Sequence, residues 1–150
     1  MVSVIMATFN EPKAFIEASI ASILNQTFSD LELLIADDST NPETVKVIDD
    51  FAASDSRVVV IRKAERMGFV NALNEALNQA KGDLIARMDG DDMALPKRFE
   101  MQLRYAAVHP EVDVFGGDMD IIDEQGVIEA VMPKVKPDTN AAEVLEKLSS

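Results

Sequence analysis

Four apolar runs of strand length, residues 2–7, 31–36, 58–61 and 84–88, are separated by stretches in which apolar residues recur every three or four positions. Ile16, Ile20, Ile23 and Leu24 form one such stripe, Val45, Ile48, Phe51 and Ala52 a second, and Val70, Leu73, Leu77 and Ala80 a third. A continuous apolar run suits a strand buried on both faces, and a stripe of that spacing suits one buried side of a helix. Strict alternation of the two with short connections leaves little choice of architecture. It predicts an α/β fold, a mostly parallel Rossmann-like sheet with helices on both faces joined by right-handed crossovers.

The punctuation agrees. Pro12 suits the first turn of a helix with Asn10 or Glu11 near its cap, and Thr40 and Glu43 have capping-box spacing around Pro42. Gly82 is placed to terminate the third helix, and Pro96 to open a fourth with Phe99, Leu103 and Ala106 inward. Residues 112–115 read as a fifth strand, followed by a small hairpin around Asp123-Glu124-Gln125-Gly126. Residues 134–138 read as a loop and 140–148 as a terminal amphipathic helix carrying Glu143 and Glu146. The length suits a single domain over residues 1–150.

A formal charge of −13 makes polyanions poor partners, so nucleic acid is set aside. No cysteine is present, which removes disulfides, thiolate metal sites and a cysteine nucleophile, and fits a cytoplasmic location. The apolar amino terminus has no positive n-region and breaks at Thr8, and no window approaches the ~20 apolar residues of a membrane span.

Three polar clusters follow the carboxyl ends of expected strands: Thr8 to Glu11, Asp37-Asp38, and Asp89-Gly90-Asp91-Asp92. In an open parallel sheet, ligands bind outside those ends where the strand order reverses. With the order three, two, one, four, all three clusters line one edge. A dinucleotide fingerprint and a phosphate-loop motif are both missing, and the single histidine, His109, sits beside Pro110 at an expected helix end as a surface turn residue. What remains is oxygen chemistry suited to Mg²⁺ or Mn²⁺.

The segments Val2-Ser3-Val4-Ile5-Met6-Ala7-Thr8-Phe9-Asn10-Glu11, Ser22-Ile23-Leu24-Asn25-Gln26-Thr27-Phe28, Glu32-Leu33-Leu34-Ile35-Ala36-Asp37-Asp38-Ser39 and Gly82-Asp83-Leu84-Ile85-Ala86-Arg87-Met88-Asp89-Gly90-Asp91-Asp92 closely resemble the nucleotide-binding half of family 2 glycosyltransferases. The likeness covers roughly residues 1–120 and implies the GT-A fold, with residues 121–150 left for the hairpin and terminal helix. It also implies inverting transfer of a sugar from a nucleotide diphosphate sugar, UDP-sugar favoured, to an unknown acceptor hydroxyl in polysaccharide or glycoconjugate synthesis. Carried over by position, Ala7 and Phe9 would flank the base with the Phe9 ring stacked on it, and Glu11 and Asp38 would hydrogen-bond base or ribose. Asp89 and Gly90 would hold the nucleotide, and Asp91 would coordinate Mn²⁺ or Mg²⁺ through the diphosphate. Asn74 keeps a nucleotide-side family residue, with helix packing as an equal reading.

Arg66 and Arg87 are candidates for screening the diphosphate, with ordinary solvated arginines as the alternative. Leu73 stands where the family often has Arg. Family members place the general base in a second half; no residue up to Ser150 matches it, so transfer by this chain alone is not expected. A metal-dependent nucleotide-binding module without transfer is the alternative. A receiver-type signalling domain would need its acidic pair after strand one, and a nucleotidyltransferase a Gly-rich, Arg-containing loop there; Thr8-Phe9-Asn10-Glu11-Pro12 supplies neither.

Overall fold

The computed structural model describes residues 1–131, and the chain divides into two compact units, Met1–Val108 and His109–Ser150. The first unit holds β1 (Val2–Thr8), α1 (Lys13–Leu24), β2 (Leu31–Asp37), α2 (Pro42–Ser54), β3 (Val58–Ile61), α3 (Phe69–Gln79), β4 (Leu84–Arg87) and α4 (Arg98–Val108). Its sheet is parallel in the order β3-β2-β1-β4, as expected. The terminal loop at 134–138 and the helix at 140–148, with Glu143 and Glu146, lie outside the described residues.

Side chains on a strand alternate between faces, and here each face has its own core. Val2, Val4, Met6, Leu33 and Ile35 meet Ile16, Ile20 and Ile23 of α1, Val47 and Ile48 of α2 and Phe99 of α4. Ile5, Leu34, Ala36 and Ile61 on the other face meet Ala72 and Ala76 of α3. The helices therefore cover both sides, and β1 and β2 are buried almost throughout.

Several local expectations are corrected. On α3 the buried sheet-facing residues are Ala72 and Ala76; of the expected stripe, Leu73 and Ala80 pack partly against this core, while Val70 and Leu77 stay 67% and 45% exposed. Small side chains let that helix lie close to the sheet, and the larger ones are left at its rim. On α2, Ile48 is buried as expected and Phe51 and Ala52 pack partly against the core, but Thr44 and Val47 take the other buried positions in place of Val45. The cap is Asn41, whose side chain accepts from the Glu43 amide, in place of a Thr40 box. Asn10 does not cap α1. Its φ of 62° turns the loop so that its Oδ1 accepts the Thr40 and Asn41 amides at 2.8 and 2.7 Å, tying the loop after β1 to the start of α2.

Gly82 does not end α3, whose C-cap is Ala80. A Cβ at Gly82 would lie 2.7 Å from the Met1 carbonyl oxygen and 2.8 Å from the Ser3 nitrogen, so the glycine is needed for close packing at the amino end of the sheet. Ser3 Oγ there donates to Glu32 at 2.6 Å and accepts the Gly82 amide at 2.8 Å.

In the second unit, residues 112–115 do not form the expected fifth strand, and Val114 is 88% exposed. A run of four residues, here three apolar and Asp113, becomes a strand only where an edge pairs with it. The hairpin does form, from β5 (Asp120–Ile122) and β6 (Ile128–Val131), antiparallel. Asp123 Oδ1 accepts the Gln125 and Val127 amides at its turn, and Gly126 takes a φ of 80°. Among the described residues no helix is long and apolar enough to cross a membrane.

Candidate functional site

The register of the sheet brings the three polar clusters together. Thr8 and Asp37 end β1 and β2 at the same level, and Ile5 pairs with Arg87 on β4. Continuing from Arg87, the Met88 amide donates to the Ile5 carbonyl at 3.1 Å, and the chain passes Ala7 and Thr8 as Asp89 and Gly90. An open cleft of about 190 Å³ results, lined by Ala7, Thr8, Phe9, Glu11, Asp38 and Asp89-Gly90-Asp91 together with Arg66, Phe69 and Ala72. Of the residues given nucleotide or metal roles, all but Asn74 line it; Asn74 is exposed on α3, and Asp37, Arg87 and Asp92 are also not among the lining residues.

The close fit depends on Gly90. A Cβ there would stand 3.2 Å from the Glu11 carboxyl carbon and from Thr8 Cγ2, so a larger residue would require those side chains to give way by a few tenths of an ångström. Glu11 faces the acidic turn from across this gap, and both its oxygens accept the Phe9 amide, at 3.0 and 2.9 Å. Burial pushes the Glu11 carboxyl up; the Phe9 amide opposes this, and Asp91 and Asp37 reinforce it. Burial also raises Asp92, with Asp91 and Asp89 adding to the shift against Arg87 and Arg98.

Asp37 and Asp38 have separate tasks. The Asp37 side chain is fully buried and accepts from Thr8 Oγ1 at 3.0 Å, the Ser39 amide at 2.9 Å and Arg62 at 2.8 Å. It holds the ends of β1 and β2 from beneath and does not line the cleft. Asp38 accepts the amides of Met67 and Gly68 at 3.0 and 2.7 Å. Gly68 is the N-cap of α3 at a φ of 73°, and α3 has no side-chain cap of its own. Asp38 therefore caps α3 from the end of β2, where its charge also meets the positive end of the helix.

Both candidate arginines are engaged with cleft residues. Arg66 lies 3.7 Å from the centroid of the Phe9 ring, covering one face of it. Arg87 reaches both Asp89 oxygens at 2.7 and 2.8 Å and lies 5.3 Å from the Phe69 centroid. Thr8 belongs to the first expected cluster, whereas these pairings and the place of Phe69 were not legible in the sequence, because they depend on how the sheet brings distant segments together. Arg87 is the exception: two positions before Asp89, it was within reach of a local pairing argument.

Among the described residues, no group of three carboxylate or imidazole side chains is arranged to enclose a metal ion. Asp91 is exposed at the tip of its turn and supplies hard oxygen donors. That donor set fits a Mg²⁺ or Mn²⁺ ion that takes one or two protein carboxylates and completes its shell with water and phosphate oxygens. His109, in the second unit, lies 3.1 Å from Glu111.

Comparison with known proteins gives these features a family. The chain is 38% identical over 129 residues to an uncharacterized glycosyltransferase of Methanocaldococcus jannaschii, covering 85% of this chain and 44% of that protein. It is 38% identical over 128 residues to the O-antigen biosynthesis glycosyltransferase WbnJ of Escherichia coli, covering 84% of this chain and 49% of that protein. The chain thus spans about half the length of these relatives. Its fold is similar to that of S. aureus TarS 1-349 in a crystal structure with UDP-GlcNAc, with a TM-score of 0.66, 23% identity, and coverage of 82% of this chain and 38% of that one. The four-stranded parallel sheet with its flanking helices is accordingly the expected GT-A architecture. The model for Glycosyl transferase family 2 matches residues 3–143, nearly the whole sequence, and the chain belongs to that family.

Proposed function

We propose that the cleft binds the nucleoside diphosphate portion of a sugar donor, uridine-based, with Mn²⁺ or Mg²⁺ held by Asp91, for inverting transfer of the sugar to an acceptor hydroxyl. The observation that carries this reading is the convergence of Ala7, Phe9, Glu11, Asp38 and Asp89-Gly90-Asp91, from three strand ends, on one cleft. The Phe9 ring offers a face on which a base stacks once the Arg66 guanidinium moves aside, since a 3.7 Å separation leaves no room between them. Asp89 faces the nucleotide side and Asp91 the diphosphate. Asn74 is retained as a nucleotide-side candidate only from its place in the family pattern.

A diphosphate among carboxylates in a chain of charge −13 needs a cation. When bound, the metal screens both and stabilises charge on the departing diphosphate. Arg66 and Arg87 line or border the cleft and are free to exchange Phe9 and Asp89 for phosphate oxygens. In the transfer, the acceptor oxygen forms a bond to the anomeric carbon as the bond from that carbon to the diphosphate breaks, and the hydroxyl proton passes to a base. No residue of this chain is assigned as that base, and we expect this chain alone to bind donor without transferring it. The role of WbnJ in O-antigen synthesis, and the UDP-GlcNAc in the TarS structure, support a UDP-sugar donor and a polysaccharide or glycoconjugate product.

Titration calorimetry of UDP in the presence of Mn²⁺ tests the metal assignment. Asp91→Ala should abolish the gain in affinity that Mn²⁺ gives to the wild type. An unchanged gain would remove Asp91 from the metal site.

A further inference from the structure

One face of α1 and the chain just past its C-cap carry a ladder of polar side chains that holds the whole segment from the acidic turn to the start of α4. Ser19 Oγ donates to the Asp89 carbonyl at 2.9 Å, Ser22 Oγ accepts the Ala94 amide at 3.0 Å, and Gln26 donates to the Leu95 carbonyl at 2.8 Å and accepts the Phe99 amide at 3.2 Å. Ser19 and Ser22, three apart, share one face of α1, and Gln26 follows just past its C-cap, Asn25. The Ser22 and Gln26 rungs fasten the segment downstream of the turn. Ser19 is the rung that reaches the turn itself.

Serines inside a helix commonly bond back to a carbonyl of the preceding turn, and Ser22 does so, donating to the Ser19 carbonyl at 2.7 Å. Ser19 is fully buried and reaches outward instead, to a residue seventy positions away. The carbonyl it holds has only a long second bond, from the Asp92 amide at 3.3 Å. The same peptide plane enters Gly90, whose lack of a Cβ leaves it free to take either hand. Rotation of that plane would redirect the chain at Gly90 and carry the Asp91 carboxylate away from the cleft.

We propose that Ser19 is a positioning residue for the Asp89-Gly90-Asp91 turn: by pinning the Asp89 carbonyl from a rigid helix it fixes the peptide plane before Gly90 and so aims Asp91 at a metal-bound diphosphate. This rests on the metal-dependent nucleotide binding proposed above. It assigns a binding role to a hydroxyl that touches neither nucleotide nor metal.

The test is UDP calorimetry with and without Mn²⁺ on wild type, Ser19→Ala and Ser22→Ala, each with a thermal melt. Loss of one net hydrogen bond to the turn predicts about a fivefold fall in the Mn²⁺-dependent gain for Ser19→Ala, with the metal-free affinity unchanged. Ser22→Ala, which frees the Ala94 amide downstream, should lower the melting temperature by as much or more and keep the gain. A Ser19→Ala protein that keeps the gain overturns the proposal, as does an equal loss in both variants, which would mean general loosening. If the wild type shows no Mn²⁺-dependent gain, the proposed function fails first and the role of Ser19 fails with it.

Discussion

Removing the Asp38 carboxylate should unfasten α3 before it affects any ligand. In the free protein both oxygens are committed, to the Met67 amide at 3.0 Å and the Gly68 amide at 2.7 Å, in place of the cap that α3 lacks. A hydrogen bond to a charged group contributes about 1.5–3 kcal/mol net. Asp38 is half-buried, so the lower end applies to each, and Asp38→Ala should cost about 3 kcal/mol. For a folded unit of the size of Met1–Val108 this is a fall in Tm of roughly 13 °C. Asp38→Asn keeps one acceptor and turns its NH₂ toward the other amide, and should lose about half as much. The assay is circular dichroism, by heat and by urea, without nucleotide. A ligand-free Tm within about 2 °C of wild type would refute the capping role, whatever happened to binding.

Three further changes separate packing from binding. Gly82→Ala places a Cβ 2.7 Å from the Met1 carbonyl oxygen, against backbone that cannot swing away, and should lower stability by about 1–3 kcal/mol in urea melts while leaving UDP affinity intact. Phe9→Ala should weaken UDP binding by about tenfold, since a base stacked on an aromatic ring contributes about 1–3 kcal/mol; an unchanged calorimetric affinity would mean the base lies elsewhere. Glu11 has a folded-state pKa above its ordinary value, so the folded protein holds its proton more tightly than the unfolded chain, and this contribution to stability falls as pH rises through the window between the two values. Glu11→Gln should therefore raise Tm at neutral pH, with the advantage vanishing below the ordinary carboxylate range.

How far the sequence carries depends on how local the cause is. Residues 2–7 and 31–36 announce themselves as strands because nearly every side chain in them is buried, and the order of the strands then decides that the clusters after β1, β2 and β4 meet. Ala72 and Ala76 were hidden because the leucines and valine beside them make the stronger pattern, although alanine allows the closer approach. The Ser19 rung on α1 went unread in an apolar stripe that looked complete without it, and its partner is seventy residues away. Asp38 was read as a ligand group from its position; its bonds to Met67 and Gly68 depend on the loop before α3, which has no periodicity to read. Residues 112–115 show the reverse failure, strand-like composition without a strand.

Under the proposed function, a metal-bound nucleoside diphosphate sits where the ends of β1, β2 and β4 meet. Paramagnetic broadening of amide signals tests it, using ¹⁵N-labelled protein with UDP and a small fraction of Mn²⁺. Broadening should centre on the amides of Gly90, Asp91 and Asp92, extend to Phe9, and spare Lys81 and Gly82 at the opposite end of the sheet. Broadening centred on any other part of the chain, or none with UDP present, would contradict it.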